Sequence, residues 1–227
     1  MTAAGGLISL LVGIVLLRLE VTGTYGRYVR VGMGPWLAIA GAAVVVLGLV
    51  TLLRALRHGE AASAHEPHGG GGDRIGWLLL APIAALLLVA PPTLGSYGVG
   101  RGAEVNVRAG GAVFAPLTPG GQPRSMTLLE FGQRAYDRDG ASFNGALVQV
   151  TGFVAGAEPD GFRLARYQIA CCAADAAPVV LRVVGARSHP PRDHWVRVTG
   201  VFQPGGDPPA LASTNVVEIP APNDPYE

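Results

Sequence analysis

The sequence contains no lysine, so all 17 of its basic side chains are arginines. Without an amine, neither Schiff-base chemistry nor a phosphate-binding loop lysine is available. Charge of either sign is also scarce: 15% of the 227 residues are charged, against about 25% in an ordinary soluble chain. The net charge is +1, and positions 101–227 hold 11 Arg against 12 Asp plus Glu. We expect no nucleic-acid partner, because such binders need a basic surplus to neutralise phosphates.

The common catalytic motifs are missing as well. The sequence has no H-E-x-x-H, no C-x-x-C, no G-x-S-x-G and no G-x-G-x-x-G. Asp193, with His189 and His194 nearby, resembles a fragment of an acid–base site, although solvated loop residues are the simpler interpretation. We therefore predict that the protein is not an enzyme.

The charged residues are unevenly distributed, and this indicates a membrane region. Positions 1–100 hold 10 of them and positions 101–227 hold 23. A helix needs ~20 apolar residues to cross ~30 Å of hydrocarbon, and three uncharged runs predict spans near 3–22, 35–53 and 76–94. The first run could instead be a signal peptide, but it lacks a basic start and a small-residue cleavage site. The sequence thus predicts a multi-pass protein of the cell membrane, with residues 1–100 in contact with the lipid bilayer.

Single residues within these runs agree with spanning helices. Trp36 and Trp77 each begin an apolar run, where interfacial indoles belong. Gly41 and Gly48 would let two helices approach closely. With three spans, five arginines fall on the side of the C-terminal half and three on the other side, so the positive-inside rule slightly favours a cytoplasmic C-terminal half. A difference of two charges leaves the orientation open.

A loop at 54–74 separates the second and third predicted spans. It holds His58, His65 and His68 with two glutamates, followed by the four glycines 69–72. Imidazole and carboxylate ligands suit zinc, nickel or cobalt, so transition-metal capture is one interpretation. The other is a solvated linker, because a run of glycines has no fixed conformation.

The C-terminal half has the pattern of a small β-domain at 125–227, after a Gly- and Pro-rich linker at 101–124. Thr127 and Glu130 form a capping box that predicts a short helix. Two similar segments, 148–153 and 196–201, alternate apolar and polar residues and contain Gly152 and Gly200, where a strand bends or bulges. Five strands suggest a closed barrel of the OB type, with an open sandwich as the alternative. The predicted strands are Ala146–Ala155, Gly161–Cys172, Pro178–Val184, His194–Gln203 and Ala210–Ile219.

The only two cysteines, Cys171 and Cys172, are adjacent. In an extended strand their side chains would point to opposite faces, and a disulfide between them would close a small strained ring. Three interpretations remain open: small apolar residues at a strand end, a soft-metal or redox site that also uses Asp175, or packing against a partner.

The sequence from Arg166 to Pro178 combines an aromatic residue, Cys-Cys, Ala-Asp-Ala and Pro. It resembles the most distinctive feature of the YcgQ-like family of bacterial membrane proteins, which are described as permease-associated subunits. The resemblance extends along the chain to the segments 23–29, 90–95, 195–200 and 225–227.

The resemblance implies a two-component transport system, in which this protein is the accessory subunit of a larger multi-span permease. It also implies that Cys171, Cys172 and Asp175 are functional. The alternative function is a membrane-anchored metal-binding or redox protein that uses the cysteine pair, the histidine loop or both, with a transition metal such as zinc as its cofactor. The transported substrate is not implied.

Overall fold

The computed structural model describes residues 3–57, 93–102, 104–110 and 113–227 of the chain. The contacts divide the chain into two compact units. One comprises Met1–Gly26 and Val31–Pro92, and the other, which we call the β-unit, comprises Arg27–Arg30 and Thr93–Glu227. The segment Arg27–Arg30 therefore belongs to the C-terminal unit, although it lies far forward in the sequence.

Two helices, α1 (Ala3–Val21) and α2 (Gly34–Arg57), pack against each other. Small residues set the distance between them. A Cβ atom added to Gly48 would lie 2.6 Å from the backbone nitrogen of Leu10, and one added to Gly13 would lie 2.6 Å from a methyl carbon of Val45. Close contact of this kind is typical of helix pairs in membranes. The predicted role of Gly48 in close helix approach is confirmed.

Within the described residues, one helical stretch, Val31–Arg57, is long and apolar enough to cross a membrane, with a mean hydropathy of 2.5. Its large apolar side chains are exposed, as Trp36, Ile39 and Leu47 are 67%, 62% and 65% accessible. The predicted first span coincides with α1, and the second lies within α2. Positions 76–92 of the predicted third span lie outside the described residues, so three spans remain a prediction.

The described residues of the β-unit form a six-stranded mixed sheet and one α-helix, α3 (Leu128–Tyr136). The strand order is β1-β2-β3-β4-β6-β5, and β2 also pairs with β5. The β1–β2 and β4–β6 pairs are parallel and the others are antiparallel. The strands are β1 (Arg124–Ser125), β2 (Val148–Glu158), β3 (Gly161–Gln168), β4 (Ala177–Val184), β5 (Trp195–Gln203) and β6 (Ala210–Ile219).

Alternation along the strands produces two apolar clusters. In β3, Phe162 and Leu164 point into the larger cluster, where Leu128 and Phe131 of α3 are completely buried. Tyr167 belongs to a second cluster, which collects other buried side chains from β2, β3, β4 and β5 and from Ile169 and Tyr226. The chain leaves the second cluster at Ile169, directly before the Cys-Cys motif.

The helix predicted from its cap is confirmed. The Thr127 hydroxyl accepts a 2.9 Å hydrogen bond from the Glu130 backbone N–H. The other half of the capping box differs from the prediction, because the Glu130 carboxylate accepts instead from the Arg134 Nε at 2.9 Å. The guanidinium of Arg134 is buried, and a buried charge needs a partner of opposite charge, which the Glu130 carboxylate supplies. Arg134 also donates to the carbonyl of Ala115.

The five predicted strands are present, and the two similar segments pair with each other in antiparallel register from Val148–Gly200 to Phe153–Trp195. A register shift at Thr199/Gly200 confirms the predicted bulge there. The register shift in β2 lies between Val154 and Gly156, just beyond Gly152. At Gly152 the glycine instead permits close contact, because a Cβ would lie 2.6 Å from the Ala165 carbonyl oxygen.

Candidate functional site

The structure brings Cys171, Cys172 and Asp175 together on the surface of the β-unit. The two sulfur atoms are 3.7 Å apart, and the Cys171 sulfur lies 2.9 Å from Asp175 Oδ2. One possible ligand atom from each of the three residues lies within 4.8 Å of the others. Cys171 and Asp175 are exposed and Cys172 is half-buried. We call residues 170–175 the cysteine turn.

The prediction that the two cysteines lie in a strand is wrong. Strand β3 ends at Gln168, and a short 3-10 helix at Ala173–Asp175 follows. The reason is the Asp175 carboxylate, which folds the chain around itself by accepting hydrogen bonds from three consecutive backbone N–H groups. These donors are Ala170 at 2.8 Å, Cys171 at 2.9 Å and Cys172 at 3.1 Å. The turned backbone places both sulfur atoms on the same side.

Sulfur also takes part in this turn. The Cys172 side chain accepts a hydrogen bond from the Asp175 backbone N–H and so caps the 3-10 helix. The Cys171 thiol donates its hydrogen to the Asp175 carboxylate. Each of the three side chains of the motif is therefore engaged with at least one of the others.

The electrostatics follow from this contact. The Cys171 thiol and the backbone N–H groups hold the pKa of Asp175 well below its usual range, because they stabilise the carboxylate. The hydrogen bonds to Asp175 and Cys172 raise the pKa of Cys171 to about 11. A thiolate beside a carboxylate is disfavoured by like-charge repulsion, so Cys171 is protonated at neutral pH. The same two groups would attract a cation.

The segment Arg27–Arg30 holds the cysteine turn from outside. The Arg30 backbone N–H donates to the Cys171 carbonyl at 3.1 Å, and the Ala173 N–H donates to the Tyr28 carbonyl at 2.7 Å. Val29 and Cys172 form an isolated antiparallel bridge. The backbone of the motif is thus paired with the stretch of chain that separates α1 from α2 in sequence.

Residues near position 227 support the turn from the other direction. The Ile169 N–H donates to the Glu227 carbonyl at 3.1 Å, and the Glu227 N–H donates to the Tyr167 carbonyl at 2.9 Å. The Glu227 carboxylate accepts from the backbone N–H groups of Leu128 and Leu129, at the start of α3. Burial raises the pKa of Glu227.

Residues 134–227 match the DUF1980 C-terminal domain. This uncharacterised family region begins within α3 and contains β2–β6, the cysteine turn and Glu227. A comparison with curated proteins gives no match. The DUF1980 region therefore includes every side chain of the Cys171–Cys172–Asp175 group, while the YcgQ-like resemblance of the whole chain remains a prediction.

Two other residues considered in the sequence, Asp193 and His194, have different partners. In the DUF1980 region, His194 Nδ1 lies 3.0 Å from Glu218 Oε2, and Asp193 accepts from the Ser96 backbone N–H and hydroxyl. No histidine belongs to the possible metal-ligand group found in the described part of the chain. The predicted loop ligands His58, His65 and His68, and the predicted interfacial residue Trp77, lie outside the described residues.

Sequence reasoning missed the roles of Tyr226 and Glu227. Tyr226 is buried, with 4% of its surface accessible, and its hydroxyl donates to the Arg27 carbonyl at 2.8 Å. The signal was available in part, because the segment Pro225–Glu227 was one of those that carry the family resemblance. A local sequence pattern gives no means of pairing a residue with one 199 positions away.

Proposed function

We propose that this chain is a multi-pass membrane protein that acts, without catalysis of its own, as the accessory subunit of a multi-span permease. The single observation that carries the proposal is the position of Arg27–Arg30. This segment lies between two apolar helices in sequence, yet it is hydrogen-bonded to the cysteine turn and to Tyr226 of the β-unit. A soluble unit that holds the connection between two spans can transmit a docking or ligand event to those spans.

Chain connectivity then supports three spans. Because Arg27–Arg30 belongs to the β-unit and is hydrogen-bonded to its cysteine turn, this segment lies on the same side of the bilayer as the rest of that unit. If α1 and α2 each cross, the chain leaves that side along α2 and must return before Thr93. The apolar run predicted at 76–94 supplies the return. Residues 54–74, with His58, His65 and His68, then lie on the opposite side from the cysteine turn.

The arginines favour one orientation of this arrangement. Arg18, Arg27, Arg30, Arg101 and Arg108 fall on the side of the β-unit, and Arg54, Arg57 and Arg74 fall on the other. By the positive-inside rule this difference of two arginines slightly favours the cytoplasm for the β-unit, and the labelling experiment below decides the orientation.

We propose that the β-unit is a barrel of the OB type. The support is the strand order β2-β3-β4-β6-β5 together with the additional β2–β5 pairing, which returns the sheet to its starting strand. A closed sheet of five short strands with bulges is typical of such barrels. The balance of 11 Arg against 12 acidic residues in 101–227 argues against the nucleic-acid binding that many OB folds perform.

Membrane topology is testable by cysteine labelling in a background in which Cys171 and Cys172 are replaced by Ser. Three reporters are Gly32→Cys and Ser188→Cys, at exposed positions, and Ser63→Cys in the loop 54–74, each treated with a membrane-impermeant maleimide in intact cells. We expect Ser63→Cys to be labelled at once, and the other two only after permeabilisation. Labelling of Ser63→Cys and Ser188→Cys from the same side would contradict the three-span arrangement.

The permease partner is testable by affinity capture. The tagged full-length chain is extracted from native membranes in a mild detergent, and the captured proteins are identified by mass spectrometry. We expect one multi-span transport protein to be captured in an amount nearly equal to that of the tagged chain. This protein should be absent or much weaker in a control capture with an unrelated tagged membrane protein of similar size. If no such protein is enriched, the accessory-subunit role is wrong.

A further inference from the structure

We propose that the cysteine turn binds one thiophilic divalent ion of the zinc class, with Cys171, Cys172 and Asp175 as its three protein ligands. The proposal goes beyond the accessory-subunit role and does not depend on it. It begins from a geometric match. In a tetrahedral site with Zn–S bonds of ~2.3 Å, two sulfur ligands are ~3.8 Å apart. The two sulfur atoms of Cys171 and Cys172 are 3.7 Å apart before any ion is bound.

The same distance selects against linear coordination. Two sulfur atoms on opposite sides of an ion, at the same ~2.3 Å bond length, would be ~4.6 Å apart. The sulfur atoms of Cys171 and Cys172 would have to move apart from 3.7 Å to reach that distance. The sulfur spacing therefore fits a tetrahedral ion better than a two-coordinate one.

Asp175 supplies the third ligand. A tetrahedral site with Zn–O of ~2.1 Å would separate sulfur and oxygen by ~3.6 Å, against 2.9 Å between Cys171 Sγ and Asp175 Oδ2. When an ion replaces the thiol hydrogen between these two atoms, Cys171 Sγ and Asp175 Oδ2 must move apart slightly. The Cys171 side chain is exposed and can rotate to allow this. The two thiols release their protons to solvent as the two metal–sulfur bonds form. The backbone N–H groups that hold Asp175 then act as supporting contacts around the site.

The chemistry of the turn favours an ion over a disulfide. A disulfide between adjacent cysteines would close a small strained ring with a sulfur–sulfur distance near 2.05 Å, whereas the two sulfur atoms are 3.7 Å apart. The Asp175 carboxylate beside them attracts a cation. In a metal complex the ion's charge of +2 offsets two of the three negative charges of the thiolates and the carboxylate.

Exposure indicates what kind of metal site this is. Structural zinc sites are closed by four protein ligands, whereas sites that react or exchange keep a position open. The described residues supply three ligands at a surface position, so the fourth position remains available to water or to an incoming ligand. The site therefore suits an ion that is picked up and passed on rather than one that holds the fold together.

The test uses the reduced full-length protein in detergent, with a reductant that does not bind metal. Zn²⁺ is titrated in competition with a chromophoric chelator, and Cd²⁺ is used as a probe because thiolate-to-cadmium absorption reports sulfur ligation. We expect one ion per chain with sulfur ligation. The double variant should lose the cadmium absorption, and Cys171→Ser and Cys172→Ser should each weaken it. All three variants should bind Zn²⁺ at least ~100-fold more weakly, because loss of even a supporting contact costs 10- to 100-fold.

A matched control distinguishes metal binding by the cysteine turn from metal binding by the histidines of the loop 54–74. The triple variant His58→Ala, His65→Ala, His68→Ala should retain the cadmium absorption and the Zn²⁺ affinity of the cysteine turn. Thermal unfolding of each variant checks that the β-unit is folded. If the double cysteine variant binds Zn²⁺ as tightly as the unmodified chain, or if the reduced chain shows no sulfur ligation, the proposal is overturned. A Cys171–Cys172 disulfide in freshly isolated protein that binds no metal after reduction would overturn it in favour of a redox role.

Discussion

The hydroxyl of Tyr226 donates a 2.8 Å hydrogen bond to the carbonyl oxygen of Arg27, 199 positions earlier in the chain. Burial raises the pKa of Tyr226, so the phenol is protonated at neutral pH and can donate. The contact fixes one end of the segment whose other end is bonded to Cys171.

Replacement of Tyr226 by Phe should destabilise the β-unit by about 1 kcal/mol, since the Arg27 carbonyl loses its donor. The measurement is denaturant unfolding of the full-length chain, together with hydrogen exchange at the Arg30 amide, which should become faster. Tyr97→Phe is the matched control, because Tyr97 is 79% exposed, and it should be neutral. Equal stability of the two variants would show that the Tyr226 hydroxyl contributes nothing.

Glu227 should make stability depend on pH in a defined direction. Burial raises the pKa of Glu227 above its usual value of 4.5, so the folded state holds the proton more tightly than the unfolded state. This contribution is fully present below the unfolded pKa and is lost as pH rises through the folded pKa. Glu227→Gln should flatten the decline in unfolding free energy as pH rises from about 4.5, whereas exposed Glu104→Gln should leave it unchanged. An unchanged pH profile in Glu227→Gln would contradict the assignment.

The reactivity of Cys171 should reveal the influence of Asp175. With a pKa of about 11 instead of the usual 9.0, Cys171 should react slowly with iodoacetamide at neutral pH. In a Cys172→Ser background, Asp175→Asn should accelerate the reaction roughly tenfold, since the larger thiolate fraction is partly offset by lower nucleophilicity. The rate is followed by mass spectrometry between pH 7 and 10. If Cys171 reacts with iodoacetamide at the same rate with Asp or Asn at position 175, this prediction is wrong.

The N-cap of α3 offers a test of local stability. Thr127→Ala removes the hydroxyl that accepts from Glu130 and should cost about 1 kcal/mol of unfolding free energy, whereas Thr127→Ser should retain most of it. Chemical denaturation monitored by circular dichroism measures both. A loss of equal size in both variants would point to the methyl group rather than to the cap.

The helix pair should be sensitive to a single methyl group at Gly48. In Gly48→Ala the new Cβ would lie 2.6 Å from the Leu10 nitrogen, whereas Gly32→Ala adds its methyl group to open space. We expect Gly48→Ala to lower the thermal midpoint of the detergent-solubilised chain and Gly32→Ala to leave it unchanged. The close packing of α1 and α2 would be in doubt if both variants melted alike.

Local patterns predicted the elements of the fold well. The Thr127 cap, the paired segments 148–153 and 196–201, and the bulge at Gly200 follow from hydrophobic alternation and capping chemistry, which depend on near neighbours. The cysteine turn could not be predicted in this way. The apolar alternation of β3 gave no sign that the Asp175 carboxylate would gather three backbone N–H groups and end the strand early.

Long-range partners account for the remaining differences. The pairing of Arg27–Arg30 with the cysteine turn joins residues more than 140 positions apart, and neither partner carries a distinctive pattern for it. The Cys171, Cys172 and Asp175 group was predicted as a set because of its unusual composition. Its geometry, with both sulfur atoms on one side, is the opposite of what an extended strand would give.

The hydrogen bonds of Arg27 with Tyr226 and of Arg30 with Cys171 also determine an order of events during synthesis. Arg27–Arg30 leaves the ribosome long before the residues that bind it, because Cys171 and Tyr226 are translated much later. The connection between the first two helices is therefore synthesised without its final partners. It acquires its native contacts only after Tyr226 has been synthesised, 199 positions after Arg27.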